Sequence, residues 1–178
     1  MAFIYVRHGQ TPWNVEHRFQ GKSDICLNET GKQQAYDTAL ALKGLQVKRI
    51  YVSPLQRALE TANIIKNELQ LDVSLVDDER LMERSFGTLE GNICPPEINL
   101  WNGDQLPYEG VESVDDFFVR VQDFIRSKEN EAKEEDILIV AHGGVYLAFH
   151  DYFIGFAPNE DRKKRIIPNC KAVRFEVK

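Results

Sequence analysis

The run Phe3-Ile4-Tyr5-Val6-Arg7-His8-Gly9 constrains the fold more than any other stretch of the chain. Four apolar residues, rich in β-formers, lead straight into a cation, an imidazole and a glycine. That pattern reads as a short buried strand ending in a sharp turn. Gly9 permits the turn and allows backbone N–H groups to approach an anion. A second run repeats the arrangement: Ile137-Leu138-Ile139-Val140-Ala141, the clearest buried strand in the sequence, ends in His142-Gly143-Gly144 before a helix from Val145 to about Phe153. Strands of an open α/β sheet hold ligands at their carboxyl ends. Two strands of this kind deliver two histidines to one sheet edge.

The segments between alternate in type. Ile50-Tyr51-Val52 and Val73 to Val76 read as strands, and Ala172 to Val177 as a final one. Asn28 caps a helix beginning at Glu29. Ser53-Pro54-Leu55-Gln56 reads as a helix start, with Ser53 as cap, Pro54 at the first helical position and Gln56 closing a capping box. Arg57 then falls in the first helical turn, where an anion would sit; on position alone it reads equally as half of a surface pair with Glu60. Ser113-Val114-Asp115-Asp116 caps a further helix, whose apolar face holds Val114, Phe117, Phe118, Val121, Phe124 and Ile125. Thr11-Pro12-Trp13-Asn14 reads as a loop with Asn14 as a free amide donor, and the polar stretch after it can close over a ligand. In Leu81 to Gly91, Glu83 is the candidate general acid and Glu90 its competitor. Asn92 to Gly110 carries Pro95, Pro96, Gly103 and Pro107, and reads as a small cap over the site.

The expected fold is therefore a three-layer α/β/α sandwich. Its sheet is mixed and mostly parallel, helices lie on both faces, and residues 1–178 form one domain with the cap near 92–110. Lys and Arg number 22 against 28 Asp and Glu, a net charge of −6, which argues against a general nucleic-acid surface. An acidic protein that binds an anion must concentrate its cations locally, so single arginines are informative. Cys26, Cys94 and Cys170 show no metal-ligand spacing and read as free thiols in a reducing compartment. With no apolar run of membrane-spanning length and no signal-peptide pattern, the sequence reads as a cytoplasmic protein with no membrane partner. It says nothing about oligomeric state.

Taken in order, Arg7-His8-Gly9, Thr11-x-Trp13-Asn14, Gln20-Gly21, Ser53-Pro54-Leu55-Gln56-Arg57-Ala58, Glu83-x-x-Phe86-Gly87-x-x-Glu90-Gly91 and Ala141-His142-Gly143-Gly144 resemble the histidine phosphatase superfamily, the phosphoglycerate-mutase-like group. The resemblance implies that His8 attacks phosphorus and becomes phosphohistidine. It implies that Arg7, Arg57 and His142 hold the phosphoryl oxygens and that Glu83 handles the proton. Asn14, Gln20, Gly21 and Gly143 would bind the substrate phosphate beside them. Arginine suits phosphate because its planar fork pairs in bidentate fashion. No metal and no other cofactor is required on this reading, and the partner is a small phosphorylated metabolite.

The resemblance leaves three classes of function: a phosphomonoester hydrolase, a phosphoglycerate mutase-type isomerase, and a catalytically silent phosphate-binding module. A mutase must neutralise a second anionic group, and related mutases carry lysine and arginine after the glutamate block. Here Asn92 to Gly110 holds none, and Cys94 stands about where a mutase has a lysine. That favours hydrolysis. Ile98, Trp101, Leu106 and Tyr108 could cover a bulky alcohol, while Glu97, Asp104 and Glu109 would repel a second dianion. The expected substrate is a monophosphate of a neutral, bulky alcohol, unless Lys22 or Arg84 reaches the site.

Overall fold

A computed structural model of the chain describes residues 1–102, 108–157 and 159–178. Its sheet has five strands in the order β3-β2-β4-β1-β5, formed by β1 (Ala2–Arg7), β2 (Ile50–Val52), β3 (Leu75–Asp77), β4 (Ile137–Ala141) and β5 (Ala172–Glu176). All pairs are parallel except β1 with β5, so the mixed, mostly parallel sheet expected from the sequence is present. The third strand begins at Leu75, two residues later than Val73.

Strand alternation divides the core in two. Phe3 and Tyr5 of β1 and Ile137, Ile139 and Ala141 of β4 face one side, packing with α4 (Val114–Glu134) and α5 (Gly143–Phe153). Ala2, Ile4 and Val6 with Leu138 and Val140 face the other, packing with α2 (Glu29–Ala41) and α3 (Gln56–Glu68). Both faces of β1 and β4 are buried, as a parallel sheet covered by helices requires. On α4 the apolar stripe read from the sequence is buried, and Ser113 accepts from the Asp116 N–H at 3.0 Å as its cap. On α2 the cap is Asn28, which accepts from Gly31 N at 2.8 Å.

Two local expectations are corrected. The stretch after Thr11 is a one-turn helix, α1 (Pro12–Val15): Thr11 and Asn14 form a reciprocal capping box there, which uses the Asn14 side-chain oxygen. Helix α3 begins at Gln56 with Leu55 as its N-cap and no side-chain cap; the Ser53 hydroxyl accepts from Leu55 N at 3.4 Å and not from a helical N–H. In the 92–110 region, Leu100 and Trp101 are buried and Tyr108 is exposed. Gly103, Asp104, Leu106 and Pro107 lie outside the described residues.

The turn after β1 is held against α2 by two glycines. A Cβ on Gly9 would stand 2.4 Å from the Gly31 carbonyl oxygen, and a Cβ on Gly31 would stand 2.1 Å from that of Gln10. Both obstacles are backbone, which yields little. Gly31→Ala is expected to destabilise the protein by about 1–3 kcal/mol, although alanine is the better helix former. Urea unfolding of the variant checks this.

Candidate active site

Arg7 of β1 and Ala141 of β4 are register partners, so the next residue on each strand, His8 and His142, leaves the sheet at the same edge and toward the α3 side. Their ring centroids lie 5.2 Å apart. The His8 N–H donates to Ala141 O at 2.8 Å, which continues the ladder through the turn. The His8 ring is 3% exposed, and its Nδ1 lies 2.7 Å from the Gly9 carbonyl oxygen. A carbonyl only accepts, so Nδ1 carries the proton and Nε2 keeps its lone pair when the ring is neutral. Burial, followed by the Arg57 and Arg7 cations, holds His8 well below the ordinary histidine range. The ring is therefore neutral at pH 7.

Arg57, on the first turn of α3, is fully buried. Its terminal nitrogens donate to Ser23 O at 2.8 Å and Gly21 O at 2.7 Å, so the polar loop wraps the guanidinium; no pair with Glu60 forms. Glu60 instead accepts from Leu27 N. Burial brings Arg57 down to about 10, and it remains a cation at neutral pH. Arg7 donates to Ile167 O at 2.6 Å. Three nitrogens are buried with no partner among the described residues: Arg7 Nε, Arg57 Nε and His142 Nδ1. Buried polar groups in folded proteins are otherwise satisfied almost throughout, so a cluster of orphans at one strand edge calls for an acceptor.

Arg7, His8, Gln20, Gly21, Arg57, Glu83 and Gly143 all line one cavity of about 150 Å³. Gln20 is oriented by Thr11 Oγ1, which donates to its Oε1 at 2.9 Å. Gly21 has φ of +51°, and a Cβ there would strike the Glu90 carboxylate at 2.0 Å. Asn14 lines a neighbouring cavity instead, and the amide nitrogen is the part of its side chain left for a ligand.

The two carboxylates separate cleanly. Glu90 accepts from Lys22 N, Ser23 N, Ser23 Oγ and Phe86 N, and so buckles two loops together. Glu83 accepts from Arg84 N at 2.9 Å and Gly144 N at 3.0 Å while its side chain faces the cavity.

Sequence reasoning missed the groups that orient these side chains. Ser53 Oγ lies 2.7 Å from His142 Nε2; with the hydroxyl donating there, the ring proton sits on Nδ1, which is buried with no partner among the described residues. A serine before proline signals a cap, which hid this contact. Tyr5 donates to the His142 carbonyl at 2.5 Å. Arg120 of α4 donates to the carbonyls of Arg80, Met82 and Glu83 and pairs with Glu112, fixing the loop that carries Glu83. No local pattern marks that partner, which stands 37 residues away.

A larger cavity of about 720 Å³ adjoins the first and shares Arg7, Arg18, Cys94, Leu100, Trp101 and Ile166 with it. Its wall includes Trp13, Pro95, Pro96, Ile98 and Lys163. Tyr108, Glu97 and Glu109 line neither cavity, and neither do Lys22 and Arg84. Arg84 is buried, donating to Glu112 O and Leu100 O.

The histidine phosphatase superfamily (branch 1) model matches residues 3–178, and the chain belongs to that family. It is an enzyme of the phosphatase type. "Uncharacterized phosphatase PhoE" of Bacillus subtilis (strain 168) is 34% identical over 169 residues, 95% of this chain and 85% of that protein. "Probable phosphoglycerate mutase GpmB" of Escherichia coli O1:K1 / APEC is 33% identical over 188 residues, 99% of this chain and 85% of that protein. The solved structure of Bacillus stearothermophilus YhfR superposes with a TM-score of 0.87 at 28% identity, covering 99% of this chain and 91% of that one. No helix among the described residues is long and apolar enough to cross a membrane.

His142 is held well below the ordinary range too, by burial first and then by Arg57. Both buried rings stay neutral as pH falls, while the same histidines in the unfolded chain take up protons near pH 6.5. The unfolded state then binds more protons, so stability falls with falling pH. Each ring is expected to remove about 1 kcal/mol between pH 7.5 and pH 5.5, with a smaller share from His150, which burial also lowers. Urea midpoints at the two pH values, for the wild type and for His142→Asn, measure it.

Proposed function

We propose that the chain hydrolyses phosphomonoesters through a phosphohistidine on His8, without a metal, and that the substrate is a small phosphorylated metabolite. The observation that carries this reading is the convergence, at one cavity, of a buried imidazole whose Nε2 keeps its lone pair with the orphaned Nε donors of Arg7 and Arg57, and with His142, whose ring centroid lies 5.2 Å from that of His8. A phosphoryl group offers three equatorial oxygens, and Arg7 Nε, Arg57 Nε and His142 Nδ1 offer one donor each. Donors already fixed in place stabilise the charge that develops in the transition state without reorganising.

In the first step the His8 Nε2 lone pair forms the N–P bond as the ester P–O bond breaks. The bonding pair leaves on the alcohol oxygen, and protonated Glu83 supplies the proton. In the second step the Glu83 carboxylate takes a proton from water, the resulting hydroxide attacks phosphorus, and the N–P bond breaks to release phosphate and restore His8. Gly144 has no room for a side chain: a Cβ would stand 2.3 Å from Glu83 Oε1 and 2.2 Å from the Trp101 ring.

A mutase reading needs cations for a second phosphate. Among the described residues the cations that line the larger cavity are Arg7, Arg18 and Lys163; Arg7 and Arg18 also line the catalytic cavity, and Arg18 is paired with Glu16 at 2.5 Å. Hydrolysis fits this wall better. A silent binding module fits less well, because it needs neither an unprotonated His8 nor a cavity-facing Glu83.

His8→Ala is expected to abolish turnover, and rapid quenching of the wild type should trap an acid-labile, base-stable phosphoenzyme. Label on serine or cysteine would contradict the reading. Glu83→Gln is expected to slow hydrolysis of alkyl phosphates about 10²–10⁴-fold and that of p-nitrophenyl phosphate far less, since a good leaving group needs little proton transfer. Glu90→Gln should not reproduce that dependence on the leaving group.

A further inference from the structure

We infer that Lys163 is an anchor for a carboxylate on the alcohol part of the substrate, so that the preferred substrate is a bulky, ring-bearing monophosphate ester that carries a second, singly charged anion. This rests on the phosphatase reading and specifies which esters that site accepts. It replaces the expectation of a neutral alcohol, and the cation comes from the far end of the chain rather than from Lys22 or Arg84.

The charge balance of the larger cavity is the first argument. Its described wall holds Arg7, Arg18 and Lys163 against the single carboxylate of Glu16, in a protein of net charge −6. Arg7 is shared with the catalytic cavity and its free Nε serves the phosphate. Arg18 is neutralised by Glu16 and also donates to Gly91 O at 2.6 Å. One positive charge is left over, that of Lys163.

The second argument is geometry. Lys163 lies in the one-turn 3-10 segment Arg162–Arg165, which is tied to the 96–102 stretch by several bonds. Arg162 donates to Trp101 O at 2.9 Å, Asn99 donates to Asp161 at 2.9 Å, and Asn102 donates to Glu160 O at 2.6 Å. Lys163 Nζ itself donates to Pro96 O at 2.5 Å and Ile98 O at 3.0 Å. An ammonium has three N–H donors, so one remains for a ligand, and the two carbonyls hold the group in place. A single remaining donor on a point charge suits a carboxylate; a second phosphate dianion would need more.

Size sets the third condition. Lys163 lines the 720 Å³ cavity and not the 150 Å³ cavity that holds His8. The anion it meets therefore sits at the remote end of the leaving group. Trp13, Trp101, Ile98 and Pro96 line the same cavity and suit a ring.

The test compares an aryl monophosphate carrying a ring carboxylate remote from the ester, such as 6-carboxy-2-naphthyl phosphate, with its carboxamide. The quantity read is the ratio of the two kcat/KM values, in wild type, Lys163→Met and Lys163→Arg at fixed ionic strength. Wild type is expected to favour the carboxylate, Lys163→Met to lower the ratio about tenfold, and Lys163→Arg to restore much of it; added salt should erode the preference. A wild-type preference for the carboxamide, or failure to hydrolyse either ester, overturns the inference. A ratio that survives in Lys163→Met also overturns it, even if both rates fall together, since that result makes Lys163 a staple of the 96–102 stretch only. Hydrolysis of p-nitrophenyl phosphate by the same preparation reports on the phosphatase reading by itself, and its absence overturns both.

Discussion

The structure depends on two arginines at a sheet edge, Arg57 fully buried and Arg7 partly so, each with terminal nitrogen bound to backbone carbonyl and a buried Nε left over. Taking a guanidinium out of water costs several kcal/mol unless charge and hydrogen bonds return the loss. Arg57 recovers part of it by drawing the loop through Gly21 and Ser23 around itself, and Arg7 recovers part through Ile167. Glu83 supplies the leading opposing charge on both. The orphaned nitrogens are the donors left for an anion. Burial first, and the same charges second, hold His8 and His142 well below the ordinary histidine range, so the arrangement that binds the anion also helps free the nucleophile.

The sheet makes this arrangement rigid. Parallel pairing of β1 with β4 decides which residues leave the edge together, and strand alternation decides that His8 and His142 turn toward α3, where Arg57 starts its helix. Around that edge the positioning contacts are each single and specific: Gly9 carbonyl on His8, Ser53 and Tyr5 on His142, Arg120 on the backbone of Glu83. Larger side chains are excluded at Gly21 and Gly144, where a Cβ would meet a carboxylate.

Much of this was legible in the sequence, because strand-ending Arg-His-Gly and Ala-His-Gly-Gly runs encode both the burial and the turn. The mixed, mostly parallel sheet and the joint exit of the two histidines are read from the sequence; the strand order is not. Less legible were features whose partners lie far away in the chain. Ser53 has the local signature of a helix cap, yet its hydroxyl answers to His142, 89 residues on. Asn14 reads as a loop residue, but local capping with Thr11 places it in a one-turn helix and uses its oxygen, which leaves the amide nitrogen as the donor. Glu83 and Glu90 were indistinguishable by composition and are separated only by the donors that surround Glu90. Lys163 draws no reading from the sequence at all, because its bonds to the Pro96 and Ile98 carbonyls join segments 65 to 67 residues apart.

The most direct measurement is a crystal structure of the protein with orthovanadate. The account predicts vanadium bonded to His8 Nε2, with its equatorial oxygens within hydrogen-bond distance of Arg7 Nε, Arg57 Nε and His142 Nδ1. Vanadate seated in the larger cavity, or held near His8 with no bond to its Nε2, would contradict it.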